Sequence, residues 1–281
     1  MDQTDASPAS EPLEPHPLEV VPPARMARLV EEVGVRKVLL PFIPTLTLGI
    51  LAGAFIAFGS MFFTVTITGS ELGFGPTRLL GGLAFSLGLI LVIIGGAELF
   101  TGNSLTIMAW ASRRIGTAAL LRNWALVYVG NLIGAVSTAI LVHLSGVLSE
   151  GENAVGVTAT MIAIAKTSLD PTQAFVRGIL CNILVCLAVW MCFAARSVSG
   201  KVTVIVLPIT AFVALGFEHS IANMYLIPVG MLHQNGTIDV MALLANLLPV
   251  TAGNIVGGGV LVALVYWLVY LYPPRSGTSH L

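Results

Sequence analysis

Glu98 and the adjacent Glu218 and His219 are ionisable residues standing inside long uncharged stretches of the 281-residue chain. Each stands just after glycine, in Gly95-Gly96-Ala97-Glu98 and Gly216-Phe217-Glu218-His219. An imidazole is the side chain whose charge changes near neutral pH, so His219 can offer a hydrogen bond or a proton to a passing weak-acid anion. A bare carboxylate on the same path would repel that anion. Glu98 and Glu218 are therefore expected to accept hydrogen bonds from backbone N–H groups freed where the chain breaks, holding the loop in shape. Asn103 and Asn223, five residues beyond each glutamate, are expected to serve similarly, with Asn223 also within reach of a substrate oxygen. Thr101 stands where the second cluster places Ile221, and its hydroxyl could pair with His219. Leu89, Leu99, Phe100 and Phe212 flank the clusters and could form apolar constrictions. Lys166 could concentrate anions at an outer mouth.

The elements that must position these residues are membrane spans. The chain is 56% hydrophobic and 10% charged, against about 25% charged in soluble domains. A net charge of −1 gives no basic stripe for nucleic acid. A span needs roughly 20 apolar residues, and the uncharged stretches accommodate six, near 42–66, 80–110, 118–145, 174–196, 202–232 and 245–271. A mid-membrane carboxylate costs at least about 2.5 kcal/mol on insertion scales, so the second and fifth spans, which hold Glu98 and Glu218, are read as broken helices. Cys181, Cys186 and Cys192 fall within one apolar run without metal-ligand spacing, and are expected to pack as small hydrophobes.

Lys and Arg set the orientation. With the N-terminus inside, Arg25, Arg28, Arg36, Lys37, Arg113, Arg114, Arg122, Arg196, Lys201 and Arg275 are cytoplasmic, leaving Arg78, Lys166 and Arg177 outside. Both termini are then cytoplasmic, in an inner-membrane protein. Residues 1–24, acidic and Pro-rich, read as a disordered tail. Residues 25–37 read as an interfacial amphipathic helix, residues 38–272 as the transmembrane domain, 146–177 as its outer loop, and 273–281 as a C-terminal tail.

The halves, about 38–145 and 174–272, repeat. Gly96–Asn103 and Gly216–Asn223 share G-x-E-x4-N, and Asn123 with Gly130-Asn131 matches Asn246 with Gly253-Asn254 at the same spacing. Three spans per copy force the copies upside down relative to one another. An inverted repeat with a broken helix in each half points to a midplane permeation site, and the half-helix N-termini there favour an anion. The glycines of the third and sixth spans are read as close-packing residues.

Five strings in this order, GGAELFTGN (95–103), RNWALVYVGNLIGA (122–135), GILCNILVCLAVWM (178–191), GFEHSIANMYLIPVG (216–230) and NLLPVTAGNIVGGG (246–259), resemble the formate/nitrite transporter family. ANMYLIPVG is closer to its formate-channel branch. The resemblance implies an all-α, aquaporin-like protomer of six helices in a 3+3 inverted repeat, assembled as a homopentamer with one pore per protomer. It implies proton-assisted transport of a small monovalent anion, formate first, with nitrite, lactate or hydrosulfide as alternatives. By position, His219 looks like the pore histidine hydrogen-bonded to Thr101. Leu89 and Phe212 look like the outer constriction, and Leu99 and Phe100 like residues near the inner one. Lys166 resembles a vestibule lysine, Asn182 and Val185 pore lining, and Glu218 and Asn223 the neighbours of the histidine. The expected partners are the chain itself, the bilayer, the anion and protons; no cofactor, metal or enzymatic activity is expected. An aquaporin-like channel for neutral solutes is the reading from another class, but Asn-Pro-Ala, its expected tripeptide, is absent from both breaks.

Overall fold

The computed structural model describes residues 20–233 and 238–272. The expected C-terminal tail and most of the N-terminal one lie outside them. The described chain is helical: α1 (Pro23–Leu39), α2 (Phe42–Ile67), α3 (Phe74–Gly95), α4 (Ile107–Ala111), α5 (Thr117–Leu144), α6 (Ala154–Thr167), α7 (Pro171–Ala194), α8 (Val198–Ala214), α9 (Ser220–His233) and α10 (Val240–Tyr270). Among the described residues five helices, α2, α3, α5, α7 and α10, are long and apolar enough to cross a membrane.

The expected second and fifth spans are both interrupted. α3 stops at Gly95, and α8 is separated from α9 by the residues around Glu218. Gly96 and Gly216 both adopt φ +73°, a left-handed conformation that glycine reaches without a Cβ penalty. Ala97 N–H then bonds Val92 C=O at 2.9 Å, and Phe217 N–H bonds Phe212 C=O at 3.0 Å, the six-to-one closure of a Schellman helix end. The 146–177 segment, read as a loop, instead contains α6, whose 14 residues are too few to cross a bilayer. Asp170 opens α7 by accepting from Thr172 N–H at 2.8 Å, and Asp239 opens α10 by accepting from Ala242 N–H at 2.8 Å.

Packing follows the repeat. α2 lies against α3 and α5, α7 lies against α8 and α10, and the halves meet through α3 on α8 and α5 on α9. Glycines set the approach. A Cβ on Gly134 would overlap Ile50 C=O, and one on Gly253 would overlap Phe175 C=O, so backbone touches backbone where small residues permit it. Large apolar side chains such as Ile43, Leu144, Leu207 and Leu248 stay outside, each more than 70% exposed. They form a surface suited to lipid. The three cysteines are buried and free.

Candidate functional site

The two breaks are built by the same hydrogen bonds. Asn131 Oδ1 accepts Phe100 N–H at 2.9 Å, while its Nδ2 donates to Gly49 C=O at 2.8 Å and Glu98 C=O at 2.9 Å. Asn254 Oδ1 accepts Ser220 N–H at 2.9 Å, and its Nδ2 donates to Gly178 C=O at 2.8 Å and Glu218 C=O at 3.0 Å. One amide thus satisfies a donor and an acceptor of the break and ties both to a carbonyl of the neighbouring helix α2 or α7. It does so from the neighbouring helix, α5 or α10.

This corrects the expectation for the glutamates, whose carboxylates bind side chains rather than freed backbone N–H groups. Lys37 Nζ donates to Glu98 Oε1 at 2.9 Å and Asn103 Oδ1 at 3.0 Å, and Asn103 Nδ2 donates to Glu98 Oε2 at 2.7 Å and Asn123 Oδ1 at 3.1 Å. In the other half Lys166 Nζ holds both Glu218 oxygens, at 3.0 and 3.1 Å. Asn223 Nδ2 donates to Glu218 Oε2 and Asn246 Oδ1, both at 2.7 Å. Each lysine backbone carbonyl also accepts from the outer asparagine: Asn123 to Lys37 at 3.2 Å, Asn246 to Lys166 at 2.8 Å. The buried negative charge of each break is thereby paired, as burial demands.

From the sequence Lys37 reads only as an interfacial cation, and the structure adds its pairing with Glu98. A signal exists: Lys37 precedes Gly49 by the same twelve residues that separate Lys166 from Gly178. Helices α1 and α6 are therefore matching parts of the two halves, each delivering one lysine to a break.

Three cavities share walls in sequence. The first, about 180 Å³, is lined by Lys166, Glu218, Arg78, Arg177, Phe85, Phe212 and His219 among others. The second, about 10 Å³, is lined by Ile56, Phe85, Leu89, Leu99, Val185, Ile209, Phe212 and His219. The third, about 50 Å³, carries Lys37, Asn103, Leu89, Leu99 and Val92. Phe85, Phe212 and His219 thus separate the first from the second, and Leu89 and Leu99 the second from the third. Phe85 and Phe212 meet edge to face at 5.5 Å.

The middle cavity is lined by matching residues of the two halves. Ile56 corresponds to Val185, Leu89 to Ile209, and Leu99 to His219, when counted from the paired glycines and glutamates. His219 is the one polar side chain in this wall. Thr101, which corresponds to Ile221, lies with its Oγ1 2.9 Å from His219 Nε2. The halves differ in polarity where these two residues meet.

The hydrogen bonds fix the proton on the ring. Ala222 N–H donates to His219 Nδ1 at 3.1 Å, so Nδ1 is an acceptor and the neutral ring carries its hydrogen on Nε2. Nε2–H then donates to Thr101 Oγ1. The Thr101 hydroxyl hydrogen is left without a protein acceptor among the described residues. Thr101 is fully buried and His219 nearly so.

The remaining expected residues fall as follows. Phe212 lines the first two cavities and Leu89 the second and third, so both stand in the wall of the middle one. Phe100 lines none of the three and packs edge to face on Trp124 and Tyr128, with centroids 6.0 and 4.9 Å away. Asn182 stands behind the first break, where its Nδ2 donates to Thr101 C=O and Ser104 Oγ at 3.2 Å and to Asn254 C=O at 2.6 Å. Among the described residues no group of three or more His, Cys, Asp or Glu stands together to hold a metal.

The family model described as "Formate/nitrite transporter" matches residues 24–268. The chain is 41% identical over 275 residues to "Formate channel FocA" of Escherichia coli (strain K12), covering 91% of this chain and 96% of that one. A solved structure described as "Pentameric formate channel with formate bound" superposes with a TM-score of 0.75 at 40% identity, over 82% of this chain and 98% of the other. An "FNT family ion channel" gives a TM-score of 0.79 at 29% identity, over 87% of this chain and 98% of its own.

Proposed function

The chain belongs to the formate/nitrite transporter family, and on that premise we propose that it carries formate across a membrane through the three aligned cavities. Family membership and several long apolar helices make it a multi-pass membrane protein. In this reading α8 and α9 together form one broken crossing, giving six crossings in two inverted copies. The cavity of Lys166 is the outer vestibule, and both termini are cytoplasmic. Each protomer of a homopentamer carries one such path, by likeness to the pentameric channel.

The observation that carries the reading is His219 in the wall of an otherwise apolar cavity, with the buried Thr101 hydroxyl hydrogen-bonded directly behind it. A bare carboxylate passing Phe212, Leu89 and Leu99 loses its water and gains little in return. The neutral acid avoids that cost. Formate therefore takes a proton from vestibule water as the apolar wall closes around it, and crosses as formic acid. His219 Nε2–H fixes the Thr101 hydroxyl so that its hydrogen is offered to the substrate, replacing one lost water contact. The substrate releases its proton in the cavity of Lys37.

Reconstitution into liposomes tests this. Vesicles carrying the protein should swell in iso-osmotic formate and stay inert in glycerol. Swelling in glycerol but not formate would replace the reading with a neutral-solute channel.

A further inference from the structure

The cavity of Lys166 holds more positive charge than the break requires. Arg78, Lys166 and Arg177 line it together with one carboxylate, Glu218, and Lys166 already holds both oxygens of that carboxylate. Arg78 is fixed in place. Its Nε donates to Ala214 C=O at 3.1 Å and its Nη2 to Val213 C=O at 3.0 Å, while its guanidinium carbon stands 5.7 Å from the Phe74 ring centre. Gly216 leaves room for it, since a Cβ there would stand 2.8 Å from Arg78 Nη2. Arg177 Nη1 reaches Gly216 C=O only at 3.5 Å. Of the five N–H donors on each guanidinium, Arg78 has three and Arg177 four without a protein acceptor among the described residues.

The repeat separates shape from charge. Arg177 corresponds to Leu48 and Arg78 to Val198; Glu98 N–H bonds Leu48 C=O at 3.1 Å just as Glu218 N–H bonds Arg177 C=O at 3.2 Å, and the left-handed glycine turn forms in both breaks. Folding the break therefore does not need two guanidiniums. Three cations and one carboxylate leave the cavity two positive charges in excess, held partly out of water, where like charges repel more strongly than in bulk.

We propose that Arg78 and Arg177 form a binding site for a small divalent oxyanion, of which sulfate is the simplest probe. A tetrahedral dianion matches the excess charge and accepts hydrogen bonds from both guanidinium forks. Unlike formate it cannot shed its charge by taking one proton, so it stays at the Phe85–Phe212 boundary and blocks the mouth. The blocking role rests on the transport reading above; the binding does not.

The test has two arms, both on the full-length protein. In detergent, radiolabelled sulfate binding is measured against matched ionic strength of sodium gluconate, for wild type, R177Q and R177K. Arg177 is chosen because its one protein bond is long, and thermal unfolding verifies that each variant folds. Saturable binding that weakens about tenfold or more in R177Q and is partly kept in R177K supports the site. Binding absent from wild type, or unchanged in R177Q, overturns it. In liposomes, sulfate should inhibit formate uptake by wild type beyond the gluconate control, and R177Q should need about tenfold more. Inhibition equal to the control overturns the blocking role. Failure of formate uptake itself, with sulfate binding intact, would instead count against the transport reading.

Discussion

Lys37 Nζ lies 2.9 Å from Glu98 Oε1, tying the first helix to a break 61 residues later. The second half repeats the tie with Lys166 and Glu218 at 3.0 Å. Removing Lys37 leaves a buried carboxylate with only amide donors. Because the Lys37 side chain is 29% exposed, the cost of Lys37→Met falls between a surface and a buried pair, at about 1–3 kcal/mol. Thermal unfolding in detergent should show a lowered midpoint that the double variant K37M/E98Q largely restores. A midpoint unchanged in K37M would remove the pair from the account.

Gly134→Ala and Gly253→Ala should both prevent correct helix packing, because the added methyl would overlap the carbonyls of Ile50 and Phe175. Gly116→Ala has nothing within 4 Å of the added atom and should behave as wild type. Size-exclusion profiles after membrane extraction distinguish them: loss of the monodisperse peak is expected in the first two variants only.

Asn254→Asp should collapse the second break while preserving side-chain size. The wild-type Nδ2 donates to Gly178 and Glu218 carbonyls, and a carboxylate oxygen there faces two acceptors. Leaving such groups unsatisfied costs about 1–3 kcal/mol each. Asn131→Asp should do the same in the first break, and similar unfolding shifts in the two variants would show that both amides do one job. A shift in one alone would deny the equivalence.

Formate uptake at fixed total formate should rise as outside pH falls. The neutral fraction of a weak acid above its pKa grows about tenfold per pH unit lowered, so the rate should climb in that proportion between pH 7 and pH 5 if formic acid is what crosses. A rate independent of pH would mean the bare anion crosses.

Sequence made the breaks legible because glycine followed by a buried carboxylate has no place in an intact apolar helix. It misread what holds them. Freed backbone groups were expected to meet Glu98 and Glu218, whereas Asn131 and Asn254 take that task from neighbouring helices, a relation that no local spacing displays. Helix α6 reads as loop because its 14 residues match no span length, although its lysine repeats the position of Lys37. Closeness in sequence groups Phe100 with the constriction. The rotation of its turn, which sends it onto Trp124 and Tyr128, is set by packing.

In the proposed mechanism the Thr101 hydroxyl, oriented by His219, serves the substrate. Initial formate uptake into liposomes by wild type, T101S and T101V at one acidic pH tests it most directly. T101S should retain most of the rate. T101V, which removes the donor and keeps the shape, should lose about tenfold or more, as expected for one hydrogen bond of about 1.4 kcal/mol. T101V transporting formate at the wild-type rate would contradict the account.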